Sequence, residues 1–107
     1  MAKYLLFVLS GPKSGEGDEE KYNDWYSNTH LGDLKAVPGI EKARRYKVIG
    51  GNVPGMEKWP YSAIYEIETD DLPAVFADMG SRPIEYSPAF DRENSTNILC
   101  MQIAGDD

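Results

Sequence analysis

Cysteine and histidine are scarce in this sequence, which has one of each, Cys100 and His30, among its 107 residues. A lone cysteine cannot form a disulfide within the chain. One histidine and one cysteine on different predicted elements also cannot make the common ligand sets of a zinc site. We therefore expect no metal centre and a cytoplasmic location, with Cys100 inside the buried strand that its apolar neighbours predict.

Clusters of basic residues are also lacking. Asp and Glu together number 18 against 11 Lys and Arg, and the formal net charge is −7. Such a surface repels, on average, both a phosphate backbone and an anionic membrane. The apolar run at residues 4–9 is too short to cross a bilayer. The composition therefore predicts that neither nucleic acid nor membrane is a partner.

Glycine-rich nucleotide motifs are missing as well. The glycines at residues 11–17 do not have the G-x-x-x-x-G-K-[ST] spacing of a phosphate-binding loop, and the chain contains no G-x-G-x-x-G. A tightly held dinucleotide is therefore not expected. We predict a protein that needs no cofactor.

What the sequence does contain is a regular alternation of strand and helix patterns. The predicted elements are a strand at 3–10, a helix that starts at Asp18 and ends at the Val-Pro-Gly of 37–39, strands at 40–49 and 61–68, a helix at 72–79 capped by Asp70 or Asp71 and ended by Gly80, and a strand at 97–104. The order βαββαβ predicts an α+β, ferredoxin-like domain over residues 1–107, with a four-stranded antiparallel sheet and both helices on one face.

The first and last predicted strands carry apolar side chains on both of their faces. Helices on one side of the sheet leave the other side uncovered. A two-fold copy of the same chain is the simplest cover, since one self-complementary patch is enough. We predict a homodimer whose sheets face each other across a space that is either filled or holds a ligand.

His30 follows an aromatic stripe on the first predicted helix, one turn after Tyr26. An imidazole titrates near neutral pH and can act as a general acid or base. We therefore predict His30 as a catalytic residue, with Asp33 as an orienting group or second carboxyl. The plainer alternatives are a packed histidine with satisfied nitrogens and an aspartate that faces solvent.

Further candidates are polar or aromatic side chains that could contact a substrate. A buried tyrosine needs a partner for its hydroxyl and can donate to a substrate oxygen, whereas an arginine can bind a carboxylate or enolate. The predicted catalytic tyrosine is Tyr46, and the predicted substrate-binding residues are Tyr26, Tyr65, Arg45 and Trp59. Each of them could equally be core, strand edge or dimer contact.

The segment YNDWYSNTHLGDLKAVPGIEKARRY at residues 22–46 resembles the EthD-like group of dimeric α/β-barrel proteins, named for ethyl tert-butyl ether degradation. The family pattern of spaced aromatics, a helical histidine, Pro-Gly and a strand with a basic residue and a tyrosine is matched by His30, Pro38, Gly39 and Tyr46. With the Gly-Gly-Asn-Val-Pro-Gly connection that follows, the chain is similar also to 4-methylmuconolactone methylisomerase.

This resemblance is clear over residues 22–46 and thinner to about residue 68. Gly32 stands where members often have a proline, so a looser helix end is expected. The resemblance implies a dimeric α/β barrel, an architecture that hosts isomerases, polyketide cyclases, dehydratases, quinol oxygenases and haem enzymes. Fold alone therefore selects no reaction.

Three functions remain open at this stage. The first is a cofactor-independent isomerase, cyclase or lyase of the dehydratase type, acting on a largely apolar, aromatic or lactone-like molecule of a catabolic pathway, with His30 moving the proton. The second is a non-catalytic ligand-binding or accessory protein of such a pathway. The third is haem binding through His30.

Overall fold

The structure is a computed structural model that describes residues 1–106. Its elements in this part of the chain are β1 (Ala2–Ser10), α1 (Asp18–Trp25), a π-helical turn (Tyr26–His30), α2 (Leu31–Lys35), β2 (Ile40–Lys47), β3 (Tyr61–Thr69), α3 (Leu72–Ser81) and β4 (Thr96–Met101), with short 3₁₀ turns at Met56–Lys58 and Arg92–Asn94. α1, the π-helical turn and α2 run on without a break and together make the first helix.

Within residues 1–106, four strands form one antiparallel sheet in the order β2-β3-β1-β4. The first helix and α3 pack on the same face of this sheet. The prediction of an α+β, ferredoxin-like fold is therefore confirmed. No helix in this part of the chain is long and apolar enough to cross a membrane.

The sheet has a covered face, under the helices, and an open face. Alternate residues of a strand point to opposite faces, so Leu6 pairs with Tyr65 on the covered face and Phe7 pairs with Ile64 and Ile98 on the open face. Tyr65 is fully buried, whereas Ile98 is 55% exposed. The core thus lies between the covered face and the helices.

β4 lies at the edge of the sheet and is exposed along almost its whole length. The prediction that Cys100 lies in a buried strand is therefore half wrong. The strand exists, but its cysteine is exposed because no part of residues 1–106 covers the open face there.

A β-bulge after Ile40 changes which residues of β2 share a face. Ile40 pairs with Ile67, but Lys42 pairs with Glu66, so one extra residue is accommodated between them. Uninterrupted alternation from residue 40 to 49 predicts Ile40 on the face of Tyr46. That prediction is wrong, because the bulge returns Ile40 to the covered face, where it is buried.

Both ends of the first helix are set by glycine. Gly17 occupies the N-cap position with a φ of 78°, so the helix starts at Asp18, whose side chain accepts a hydrogen bond from the Gly15 N–H. Past the far end, Gly39 has a φ of 98°, and a Cβ there would lie 2.8 Å from Val75 Cγ2. Only glycine allows this backbone to turn so close to α3.

α3 begins as the sequence predicts and ends later. The Asp71 carboxylate caps it by accepting a hydrogen bond from the Ala74 N–H at 3.2 Å. Gly80 does not end the helix, which continues to Ser81. Arg82 is extended, as a residue before proline prefers to be, and Pro83 follows.

Candidate active site: a cleft around His30

A cleft of about 760 Å³ opens between the first helix and α3, above the covered face of the sheet. Leu6 and Val8 of β1 and Leu99 of β4 form its floor. Phe76 and Met79 of α3 contribute to its wall. The lining combines this apolar surface with a nearly equal share of polar surface, so the cleft could hold an organic molecule that also bears polar groups.

His30 lies on the first-helix wall of the cleft and is only 5% exposed. Its ring stacks on Trp25 with centroids 4.6 Å apart, and it meets the Tyr26 ring edge-on at 4.8 Å. The Tyr86 ring lies 5.4 Å away on another side. His30 Nδ1 is buried and has no hydrogen-bond partner within residues 1–106. Such an orphan nitrogen is unusual, since buried polar groups are normally satisfied.

The surroundings of His30 favour its neutral form. Burial lowers the pKa of His30 from its ordinary 6.5 to about 4, and the negative charge of Asp33 opposes this only in part. Asp33 makes no hydrogen bond with Nδ1. It lies instead at a shallow recess behind Trp25 and Tyr86. The imidazole is therefore uncharged at pH 7 and has a nitrogen that can accept a proton.

The first helix contains a π-helical turn at the residues that carry this site. The Leu31 N–H bonds to the Tyr26 carbonyl five residues back, where an α-helix would use the carbonyl four residues back. Single π turns inside α-helices occur frequently at functional sites. Sequence reasoning did not anticipate it, because an i→i+5 hydrogen bond has no residue signature of its own.

Behind His30, two buried tyrosines share a hydrogen bond. The Tyr26 and Tyr65 hydroxyls are 3.2 Å apart. Burial raises the pKa of Tyr26 to about 12 and raises that of Tyr65 further still. Both phenols therefore keep their protons at neutral pH. Tyr26 lines the cleft, whereas Tyr65 is fully buried and is not part of the cleft lining.

Arg45 lies on the covered face but is enclosed by the tyrosines of the first helix and β3. Its guanidinium carbon is 4.7 Å from the Tyr26 ring centroid and 5.1 Å from that of Tyr61. It donates hydrogen bonds to Ser27 Oγ and Asn23 Oδ1, both at 2.9 Å. Arg45 therefore fixes the helix around the π-helical turn from the side away from the cleft.

The structure separates the other predicted site residues from His30. Tyr46 is 45% exposed on the open face, on the far side of the sheet. Trp59 lies in the connection between β2 and β3, and its Nε1–H donates to the Asn94 carbonyl. Tyr46 and Trp59 thus do not share a cleft with His30 within this chain.

The cleft also contains residues that the sequence does not predict as site residues. Arg82, Tyr86 and Arg92 lie in the connection between α3 and β4 and line the cleft, with the Tyr86 ring next to that of His30. The segment has no periodicity, so it reads as an irregular connection. The only feature of this connection that could have indicated a site is its composition, because it combines arginines and aromatic residues with prolines.

Within residues 1–106, no group of three or more His, Cys, Asp or Glu side chains is arranged to hold a metal ion. The side chains that line the cleft include a neutral imidazole, the protonated phenol of Tyr26 and two guanidinium groups.

Comparison with known proteins gives one relative by sequence and several by structure. No family model matches the chain. It is 38% identical over 87 residues to core atranone cluster protein 1 of Stachybotrys chlorohalonatus, an alignment that covers 79% of this chain and 34% of that protein. The chain thus spans about a third of the length of the curated relative that it matches.

The structural neighbours share the fold at low sequence identity. A DABB family protein with a ferredoxin-like fold from Mesorhizobium loti aligns with a TM-score of 0.63 and 11% identity, covering 97% of this chain and 100% of its own. A dimeric ferredoxin-like protein of unknown function from Jannaschia sp. gives 0.61 and 15%, covering 91% and 96%. An EthD family protein from Bacillus halodurans gives 0.53 and 16%, covering 96% and 100%. At the level of fold, the resemblance to EthD-like dimeric α/β-barrel proteins is confirmed.

Proposed function

We propose that this chain is a small cofactor-independent enzyme in which His30 removes a proton from a carbon acid bound in the cleft. The observation that carries the proposal is the buried, neutral imidazole that lines the cleft at a π-helical turn and whose Nδ1 has no hydrogen-bond partner within residues 1–106. A neutral imidazole has one ring nitrogen that carries no proton, and that nitrogen can accept one.

The transfer would create an imidazolium and an enolate side by side. A pKa of about 4 makes His30 a weak base before the substrate ionises. The enolate stabilises the imidazolium as it forms, since an opposite charge nearby favours the charged ring. Guanidinium groups of Arg82 and Arg92 on the rim favour negative charge on the substrate.

The fate of that proton defines the reaction class. Its return to a different carbon of the same molecule gives an isomer. Its delivery to a leaving hydroxyl gives dehydration with release of water. Attack of the enolate carbon on a second carbonyl, whose oxygen then takes the proton from the imidazolium, gives cyclisation. All three proceed in a cleft that holds a flat, largely apolar molecule, and a volume of 760 Å³ lies within the roughly 300–1,000 Å³ usual for small-molecule sites.

The working form in this proposal is a homodimer joined through the open face. Apolar side chains are exposed there, including Leu5 at 37% and Ile98 at 55%. A structural neighbour from Jannaschia sp. is described as dimeric. Light scattering should therefore give twice the chain mass for the wild type and the mass of a single chain for Ile98→Glu. An unchanged mass in the variant would remove the open face as the interface.

A second candidate is an accessory protein that binds the same molecule without converting it. The low pKa of His30 favours this alternative, because a weak base removes a proton from a bound carbon acid slowly. The two candidates differ in turnover and agree in binding, so one experiment separates them.

The experiment follows exchange of the acidic C–H of 2-tetralone in deuterated buffer by proton NMR. Wild-type protein should accelerate the exchange, and His30→Gln should slow it by roughly 10²–10⁴-fold, as expected for loss of a general base. Lys35→Gln, an exposed change in the same helix, is the control and should exchange like wild type. Binding of 2-tetralone to wild type without acceleration would favour the accessory protein.

A further inference from the structure

The cleft differs in charge from the molecule around it. The whole chain carries a net charge of −7, with 18 acidic residues against 11 basic ones. The cleft lining described within residues 1–106 contains Arg82 and Arg92 but no aspartate or glutamate. An acidic protein thus has a cleft whose formal charge is positive, and such a concave site concentrates negative ligands.

Arg92 is the guanidinium that is available to a ligand. Its central carbon lies over the Tyr86 ring, 4.1 Å from the ring centroid. A guanidinium placed over an aromatic face can still use its N–H groups to bind a carboxylate. No carboxylate within residues 1–106 is within ion-pair distance of it.

Arg82 is less available, because it already has an anionic partner. Its Nε donates to Asp78 Oδ1 at 2.6 Å, one helical turn back. The pair is partly exposed, so the Arg82 charge is reduced rather than cancelled. Arg82 therefore adds to the positive potential of the cleft, while Arg92 supplies the contact.

A single aromatic ring connects Arg92 to the proposed base. The Tyr86 ring stacks under the Arg92 guanidinium on one side and lies 5.4 Å from the His30 ring on another. The same cleft is also lined by Phe90, Leu99 and Val8, which favour a flat apolar body. A ligand held at Arg92 by one end extends over this apolar surface toward the imidazole.

We propose that the molecule bound here is an aromatic organic anion, with a carboxylate or an ionised enol held by Arg92 and its ring system on the apolar floor beside His30. The proposal rests on the proposed function only in using the same cleft, and it narrows the substrate class from apolar aromatics to those that bear a negative group. A neutral His30 does not compete for that group, so the anionic end is directed to Arg92.

The test is a matched pair of probes, 2-naphthoate and 2-naphthamide, which share shape and ring system and differ in charge. Titration calorimetry at pH 7 should show at least tenfold tighter binding of 2-naphthoate to wild-type protein. Arg92→Gln should weaken 2-naphthoate by at least tenfold and change 2-naphthamide less than twofold. Raising the salt concentration should weaken 2-naphthoate alone.

Two further variants guard this result against trivial causes. Arg44→Gln makes the same chemical change on the open face, where Arg44 pairs with Glu66, and should bind both probes as wild type does. Arg92→Lys keeps the positive charge but loses the planar guanidinium, with its paired N–H donors and its contact with the Tyr86 ring. It should therefore bind 2-naphthoate with intermediate affinity. Circular dichroism verifies that each variant is folded.

Equal affinity for the two probes, an equal loss of both in Arg92→Gln, or no binding of either would overturn the proposal. These readouts are independent of turnover. His30→Gln should retain the preference for 2-naphthoate, so a failed deuterium exchange with an intact charge preference rejects the enzyme and leaves this inference standing. If the protein accelerates exchange of 2-tetralone but binds 2-naphthoate and 2-naphthamide equally, the enzyme proposal stands and this inference is rejected.

Discussion

Arg44 and Arg45 are neighbours in β2, yet they lie on opposite faces of the sheet and in opposite surroundings. Arg44, on the open face, pairs with Glu66 at 2.7 Å, and both side chains are substantially exposed. Arg45, on the covered face, is surrounded by tyrosine rings and hydrogen-bonded to the first helix, and its Nε is buried without a partner among the described residues 1–106. Adjacent positions of one strand thus hold an arginine in a solvated ion pair and an arginine that binds the first helix.

The difference indicates what each face contributes. The covered face holds aromatic and polar groups in fixed positions around the π-helical turn, and so determines where His30 points. The open face keeps apolar and charged side chains in contact with water in the single chain. Positional precision belongs to the first face, whereas the second is suited to contact with another chain. The following experiments test this division, from the largest expected effect to the smallest.

The strongest contrast is between two isoleucines. Ile67, fully buried on the covered face, should cost about 2–5 kcal/mol of unfolding free energy when changed to alanine, because the cavity it leaves does not collapse. Ile98→Ala on the open face should cost less than about 1 kcal/mol at low protein concentration. Urea denaturation of both variants measures the pair, and similar losses would erase the distinction between the faces.

The second experiment uses the pH dependence of stability. The pKa of His30 is about 4 when folded and near 6.5 when unfolded. Between these values the unfolded chain binds the extra proton, so stability falls as pH drops from 6.5 to 4 and changes no further through this group below 4. A difference of this size between the folded and unfolded pKa corresponds to a loss on the order of 3 kcal/mol.

His30→Gln serves as the reference for that pH effect. The difference in unfolding free energy between wild type and variant should rise as pH increases from 4 to 6.5 and then stay level. A flat difference across this window would show that the imidazole is hydrated in the folded chain. Denaturation midpoints collected at half-unit pH intervals decide the matter.

The third experiment compares the adjacent arginines directly. Arg45→Met should cost about 1–3 kcal/mol, because it removes charged hydrogen bonds to the first helix and the stacking on tyrosine rings. Arg44→Met should cost about 0–1 kcal/mol, as is usual for an exposed ion pair. Arg45→Met should also alter the titration of His30 by NMR, through displacement of Tyr26, whereas Arg44→Met should leave it unchanged.

The smallest expected change is a gain. Gly32 is exposed in α2, and a Cβ there would contact nothing within 4 Å. Gly32→Ala should therefore stabilise the chain by about 0.5–1 kcal/mol, since alanine loses less backbone entropy in a helix. Thermal unfolding measures it. A loss of stability would indicate that the end of the first helix is strained by its π-helical turn.

Periodicity and turn residues in the sequence predict the element order and the inward direction of His30. The alternation of apolar and polar residues in β3 has the two-residue period of a strand, and the aromatic stripe of the first helix has the 3.6-residue period of a helix. The alternation of residues along β2 also places Arg45 and Tyr46 on opposite faces of the sheet, as observed. Element ends are less well predicted, because Gly80 is tolerated inside α3 and the bulge after Ile40 has no clear signal.

The site itself is only half visible in the sequence. Its first wall, around His30, lies on one helix and follows from local spacing. Its second wall, which includes Tyr86 and Arg92, comes from a connection without period and is brought to His30 by the return of the chain from α3 to β4. Contacts between segments 60 residues apart depend on the whole fold, so no local pattern could predict them.

The π-helical turn also makes the geometry around His30 depend on the number of residues in the first helix. The π turn holds one residue more than the α-helical turn that it replaces. Deleting one residue within Tyr26–His30 would therefore allow α1 to continue into α2 as an unbroken α-helix, with both flanking segments keeping their direction. Only the side chains inside the turn, His30 among them, would change their spacing relative to Trp25 and Tyr26. The extra residue thus sets how the imidazole meets the aromatic rings around it.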